Sequence, residues 1–180
     1  VMSTQKTVQQ EAGTVRENPV ELDAEKASQI VDALQTDLAD AYVLYHQLHK
    51  HHWNVEGAEH LQIHEFLQEA REEAEEAADE LAERLQTLGG VPTASMHALS
   101  DAATVTPEDE DVYDIRTSLG NDLDLYGQII ESYREHIEIA KRLGDPTTAH
   151  ILREQLTELE DHAHVIDHFL EEDTLVQATD

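Results

Sequence analysis

The chain contains twelve histidines and forty acidic residues but no cysteine, so any metal it binds is held by nitrogen and oxygen donors. Such donors crowd one stretch: His46, His49, His51, His52, His60, His64, Gln68, Glu72, Glu75, Asp79 and Glu83. Spacing sorts them. His64 with Gln68, and Asp79 with Glu83, are i,i+4 pairs that can each chelate from one face of a helix. Gln68 and Asp79, about three turns apart, project in nearly the same direction. Two exposed carboxylates one turn apart repel by roughly 0.3 kcal/mol, and a cation between them reverses that sign. His64 and Asp79 lie about 22 Å apart along a straight helix, so the two pairs of one chain cannot share an ion. A second copy packed antiparallel about a twofold axis brings the histidine pair of one chain against the carboxylate pair of the other. His52, on the preceding helix, can join the histidine side.

The elements that must position these residues are legible from apolar periodicity. Four prolines, at 19, 92, 107 and 146, fall at element boundaries. Residues 1–22 lack periodicity and read as a flexible tail. Asp23 caps a first helix with Ile30, Leu34, Leu38, Ala41, Tyr45 and Leu48 on one stripe. After a break at residues 54–57, a second helix carries Leu67, Ala70, Ala74, Leu81, Leu85 and Leu88 and stops at Gly89 and Gly90. The connection over 91–105 has room for one helical turn near Met96 to Leu99. Thr106, Pro107, Glu108 and Asp109 form a start signal for the next long helix, with Val112, Ile115, Leu119, Tyr126, Tyr133 and Ile137 on its stripe. Gly120 and Gly127 inside it point to a bend or a close contact. Gly144, Asp145 and Pro146 end that helix and begin a last one with Ala149, Leu152, Leu156, Leu159, Ala163, Ile166 and Leu170. The fold class is therefore all-α, an antiparallel four-helix bundle over residues 23–171 with a long connection between its second and third long helices and a C-terminal tail over 172–180.

Composition narrows the function further. The net charge of -29, from 40 acids against 11 bases, repels phosphate backbones and argues against nucleic-acid binding. The first 22 residues carry Lys6 and Arg16 against Glu11, Glu17 and Glu21, one more acid than base, so they form no DNA-binding arm. Such a surface is of the kind halophilic proteins present, screened by high salt, and it also collects cations. No apolar run suits a membrane span or a signal-peptide core, and the protein is expected to be soluble and cytoplasmic.

The run His52-Trp53-Asn54-Val55-Glu56-Gly57, with His64 twelve residues after His52, then Asp79, Ala82-Glu83-Arg84 and Leu88-Gly89-Gly90, resembles the signature of the Dps mini-ferritins. The resemblance covers roughly residues 23–171. It implies a ferritin-like bundle assembled as a hollow dodecamer that oxidises Fe(II) with hydrogen peroxide in preference to oxygen and stores a ferric mineral. It implies ferroxidase ligands His52 and His64 from one subunit and Asp79 and Glu83 from its twofold partner, in line with the geometry inferred from spacing. Gln68 stands where the family usually has an aspartate. It gives one neutral oxygen and no charge, which weakens the position of a second iron. Trp53 could quench stray oxidising equivalents or simply fill an interface. By the same resemblance Glu72, Glu75 and Glu76 nucleate mineral, and Asp145, His150 and Glu154 line a threefold pore that admits cations. His162, His164 and His168 are candidates for an iron relay or for plain surface residues. Two further classes remain as alternatives: a non-catalytic acidic metal buffer and a DNA-compacting protein.

Overall fold

The computed structural model describes residues 7–171 and contains five helices: α1 (Ala24–Asn54), α2 (His60–Thr87), the short α3 (Met96–Ala102), α4 (Ile115–Leu143) and α5 (Pro146–Leu170). Capping chemistry sets most of the ends. Asp23 accepts from the backbone N–H of Glu25 and Lys26 at 3.0 and 3.2 Å, satisfying two donors that α1 leaves free. Asp145 does the same for α5 through Thr148 N–H at 3.0 Å, with Pro146 in the first turn. At the end of α2, Gly89 takes φ +91° while its N–H reaches Gln86 O and that of Gly90 reaches Leu85 O, at 2.9 and 3.1 Å, the paired closure favoured by a glycine in the left-handed region. A side chain at Gly90 would also have no room, because a Cβ there would lie 2.7 Å from a Leu85 methyl and 2.8 Å from one of Val31.

The long helices pair as two hairpins, α1 with α2 and α4 with α5, joined chiefly by the packing of α1 on α4. Leu34, Leu38, Leu44 and Leu48 of α1 meet Leu67, Leu81 and Leu85 of α2, Leu119, Tyr126 and Tyr133 of α4, and Leu152 of α5 in one buried core. Burial of each such side chain contributes about 1.5 to 3 kcal/mol, which is why the apolar stripes decide the fold. The fourth seam differs, because the backbones of α2 and α5 stay apart along most of their length and meet through side chains such as Phe66 with Phe169 and Gln155 with Glu80. The groove between them encloses about 670 Å³, with Glu76, Asp79 and Glu80 on one wall, Glu154 and Glu158 on the other, and Tyr126 and Tyr133 on the floor. Among the described residues, no helix is long and apolar enough to cross a membrane.

Three sequence expectations are corrected. The long helix expected to start at Thr106 starts at Ile115, capped by Asp114 through Thr117 N–H at 3.0 Å, and Val112 is 61% exposed instead of buried. The cause is Glu108, whose carboxylate turns inward to Lys50, His51 and Asn121 at 2.6, 2.7 and 2.6 Å, while its N–H donates to Gln47 Oε1 at 2.8 Å. Four buried or half-buried polar contacts outweigh a helix-start preference worth about 1 kcal/mol. Second, Gly120 and Gly127 mark neither break nor contact: α4 runs through both, and a Cβ at either would meet nothing within 4 Å. Third, the segment before α1 has irregular backbone but definite partners. Arg16 N–H and Gln10 Nε2 both donate to Gly89 O, at 3.0 and 2.8 Å, and Val15 and Leu22 pack on the core. Missing periodicity signals missing helix, and says nothing of missing contacts. Lys6 and the tail expected over 172–180 lie outside the described residues.

Candidate metal centre

The last turn of α1 and the first turns of α2 bring His52 and His64 face to face, their rings stacked with centroids 3.8 Å apart and planes 22° from parallel. Each is held by the other's backbone. His52 Nδ1 lies 3.1 Å from His64 O, and His64 Nδ1 lies 3.0 Å from His52 O. A carbonyl only accepts, so both rings carry their proton on Nδ1 and leave the Nε2 lone pair free. A backbone carbonyl orienting a ligating imidazole in this way is the usual support of a histidine metal ligand. Burial lowers the pKa of His52, the hydrogen bond to the His64 carbonyl opposes it, and the neighbouring His64 ring and the cation of Arg71 lower it further, for a net shift downward.

Around this pair lie His49, with its ring 4.0 Å from Trp53, and His60, 5.1 Å from His64. Trp53 is 69% exposed and Leu61 64% exposed, so the helix ends that carry the pair also present large apolar side chains to solvent. Gln68 lies one turn beyond His64 and is engaged. Its Oε1 accepts from Arg71 Nε and Nη2 at 3.2 and 2.6 Å, and its amide nitrogen donates to Glu72. Glu72 thus has a local partner, while Glu75 and Glu76 are exposed.

Asp79 and Glu83 occupy the same helix nearer its C-terminus, both exposed, and neither enters an ion pair among the described residues. Across the described residues, no three His, Asp or Glu side chains of one chain cluster closely enough to hold an ion. The structure therefore brings His52 to His64 and leaves Asp79 with Glu83 at the other end of α2.

Asp145 is a correction among the expected pore residues. It is 4% exposed and accepts from Arg84 Nη2 on both oxygens, at 2.8 and 3.0 Å, as well as from the Thr148 hydroxyl and N–H. Those hydrogen bonds hold its carboxyl below the usual range against the effect of burial. A carboxylate so engaged has no oxygen left for a passing cation. His150 and Glu154 are exposed one turn apart, Nε2 to Oε1 3.5 Å. Of the histidines near the end of α5, His162 is half-buried, 3.3 Å from the Tyr126 hydroxyl and 3.1 Å from Glu73 Oε2, whereas His164 and His168 are exposed with rings 4.1 Å apart.

Sequence reasoning missed the buried polar cluster behind the centre. His51, adjacent to His52, points the other way, with Nδ1 2.8 Å from Asp122 and Nε2 2.7 Å from Glu108. Gln47 donates to the second Asp122 oxygen at 2.9 Å. With a carboxylate on each ring nitrogen, His51 can donate twice, and although burial opposes it the two acids raise its pKa, while burial raises that of Asp122. The only available signal was that adjacent histidines on a helix cannot face the same way.

Residues 31–176 match the Ferritin family, described as a ferritin-like domain. The chain is 63% identical over 176 residues to the DNA protection during starvation protein of Halobacterium salinarum, covering 97% of each. It is 36% identical to a nutrient stress-induced DNA-binding protein of Nostoc, over 97% of this chain and 95% of that one. Its fold superposes on the crystal structure of an archaeal Dps homologue from Halobacterium salinarum with a TM-score of 0.93 at 62% identity, covering 97% and 98% of the two chains. A Dps protein of Vibrio cholerae, described as a member of a broad superfamily of ferritin-like diiron-carboxylate proteins, matches with a TM-score of 0.81 at 28% identity, over 86% of this chain and 96% of that one.

Proposed function

Because the chain belongs to the ferritin-like family, in its Dps branch, we propose that it oxidises Fe(II) at centres shared between two copies and stores the ferric product inside a closed dodecameric shell. The observation that carries this reading is the mutual orientation of His52 and His64, each imidazole fixed by the other's carbonyl with Nε2 free. Asp79 and Glu83 of a second copy, running head to tail, complete a set of two nitrogens and two carboxylates. The exposed Trp53 and Leu61 beside the histidines give that second copy an apolar surface to cover.

Iron is substrate here. Hydrogen peroxide takes up two electrons and two protons to give two waters, and each Fe(II) supplies one electron, so oxidation of a pair of ions consumes the oxidant without releasing a one-electron radical. Imidazole suits Fe(II) and carboxylate suits the harder Fe(III), which is the value of a mixed set. The exposed Glu75 and Glu76 would then collect hydrolysed Fe(III), and His150 with Glu154 would sit on the path of incoming cations. Contact with DNA is not part of the proposal despite the printed names of the relatives, since a charge of -29 opposes it at any salt concentration where attraction matters.

The experiment is complementation. A His52→Ala, His64→Ala chain and an Asp79→Ala, Glu83→Ala chain are each expected to oxidise anaerobically added Fe(II) slowly when peroxide is supplied. Co-expressed, they form mixed twofold pairs in which one centre regains all four ligands, and the rate recovers in part. If the mixture is no faster than its components, the shared centre is wrong.

A further inference from the structure

Arg71 is a charged group beside the histidine pair to which the proposed chemistry gives no role. Its guanidinium donates twice to Gln68 Oε1, at 3.2 and 2.6 Å, and Nη2 lies 3.6 Å from Glu72 Oε1. The Gln68 amide nitrogen in turn donates to Glu72, so the three side chains form a closed circuit in which acceptor meets cation and donor meets anion. Arg71 is only 15% exposed even in the single chain. Held on Gln68, one turn from His64, its positive charge sits beside the histidine pair.

The charge count is decisive. With His52 and His64 neutral, Asp79 and Glu83 of a second copy supply two negative charges, which balance one divalent ion. A second divalent ion on this face has Gln68 as its nearest further donor, one turn from His64, and that oxygen already faces a fixed cation. Glu72, one turn beyond Gln68, is balanced by the same guanidinium. Arginine cannot yield by losing a proton, so it must move. We infer that Arg71 is a resident cation standing in the second metal position, so that one divalent ion binds tightly and the next enters only as the guanidinium swings off Gln68. This rests on the shared centre proposed above. The amide at position 68 then makes sense, because a neutral oxygen holds Arg71 more loosely than a carboxylate would.

The test is anaerobic titration of the assembled protein with Co(II) in molar potassium chloride, followed by calorimetry and by visible absorption of the bound ion. The wild type is expected to take one equivalent per subunit tightly and a second at least about tenfold more weakly. Arg71→Gln removes the charge and tightens the second equivalent by about tenfold or more, with the first unchanged. Arg71→Lys keeps the charge and leaves the second equivalent weak. Arg71→Met, which keeps an aliphatic stem and removes the charge, also tightens the second and serves if Arg71→Gln fails to assemble. Two equal equivalents in the wild type, an unchanged second equivalent in Arg71→Gln or, where that fails to assemble, in Arg71→Met, or tightening by Arg71→Lys equal to that by Arg71→Gln would each overturn the assignment. Failure of the shared centre has a different signature: Asp79→Ala, Glu83→Ala would keep the first equivalent intact.

Discussion

Arg84 Nη2 lies on both carboxylate oxygens of Asp145, at 2.8 and 3.0 Å, and Arg84 Nε donates to the Thr148 hydroxyl at 2.9 Å, so one guanidinium ties the last turn of α2 to the first turn of α5. Together with Gln155 Nε2 on Glu80 Oε2 at 2.7 Å, this links the two hairpins at that end. Removing Arg84 leaves a buried carboxylate with only its capping bonds, and Arg84→Ala is expected to cost about 3 kcal/mol, read as a lower midpoint in chemical denaturation. The Asp145 carboxyl is held below its ordinary value, so its contribution is present above that value and disappears as pH falls through the folded one. In the variant the acid limb of the stability curve should be shallower. An unchanged midpoint would show that the pair contributes nothing net.

His51 makes the opposite prediction at the other end of the pH scale. Its folded pKa is raised above 6.5 by Asp122 and Glu108, so its contribution is complete below that value and fades as pH rises through the folded one. His51→Gln, which can donate one hydrogen bond but never charges, should unfold more easily near neutrality, while its stability changes less between mildly acidic and mildly alkaline buffer. Thermal melts across that range check it, and parallel curves for the two proteins would refute the imidazolium.

For His52 the pKa is lowered, so protons compete with metal only below the ordinary histidine range. Binding of Co(II) should therefore hold steady down to about pH 6.5 and fall beneath it. His52→Ala should slow peroxide-driven Fe(II) oxidation by about 10- to 100-fold with little change in melting temperature, because the side chain is only half-buried. A large stability loss with unchanged oxidation would assign the ring a packing role instead.

Electrophoretic mobility of duplex DNA should be unaffected by the protein at low and at high salt, given the charge of -29 and the repulsion it implies. A retarded band at either concentration would require a basic contact that the described residues do not display.

Legibility followed the physics of each element. The starts of α1 and α5 were readable because Asp23 and Asp145 act locally, within three residues of their own backbone donors. The start of α4 was not, because Glu108 answers to Lys50 and His51, which are far away in sequence. The same holds for the whole connection over 91–109. It is fastened to α1 by Gln35, Asp40, Gln47 and Lys50: Gln35 bonds Val91 O at 2.7 Å, and Asp40 accepts from Thr104 N–H at 2.7 Å. On a sequence, a polar stripe of this kind reads as a wet face, since a satisfied buried amide and a solvated one look alike. In the centre, the separation of His64 from Asp79 was legible through helix geometry alone, whereas the reciprocal carbonyl contacts of His52 and His64 depend on how closely α1 approaches α2. Arg71 escaped notice because its meaning comes from Gln68, three residues earlier, whose oxygen it covers.

The groove between α2 and α5 gives the molecule a seam with a preferred place to open. Its walls carry like charges, so dissolved cations there act as mortar, and dilution of the salt lengthens the range over which the walls repel. Backbone amides of α5 should then exchange with deuterium ahead of those of α1 as the ionic strength drops, the bundle parting along its acidic side while the α1–α2 hairpin stays closed.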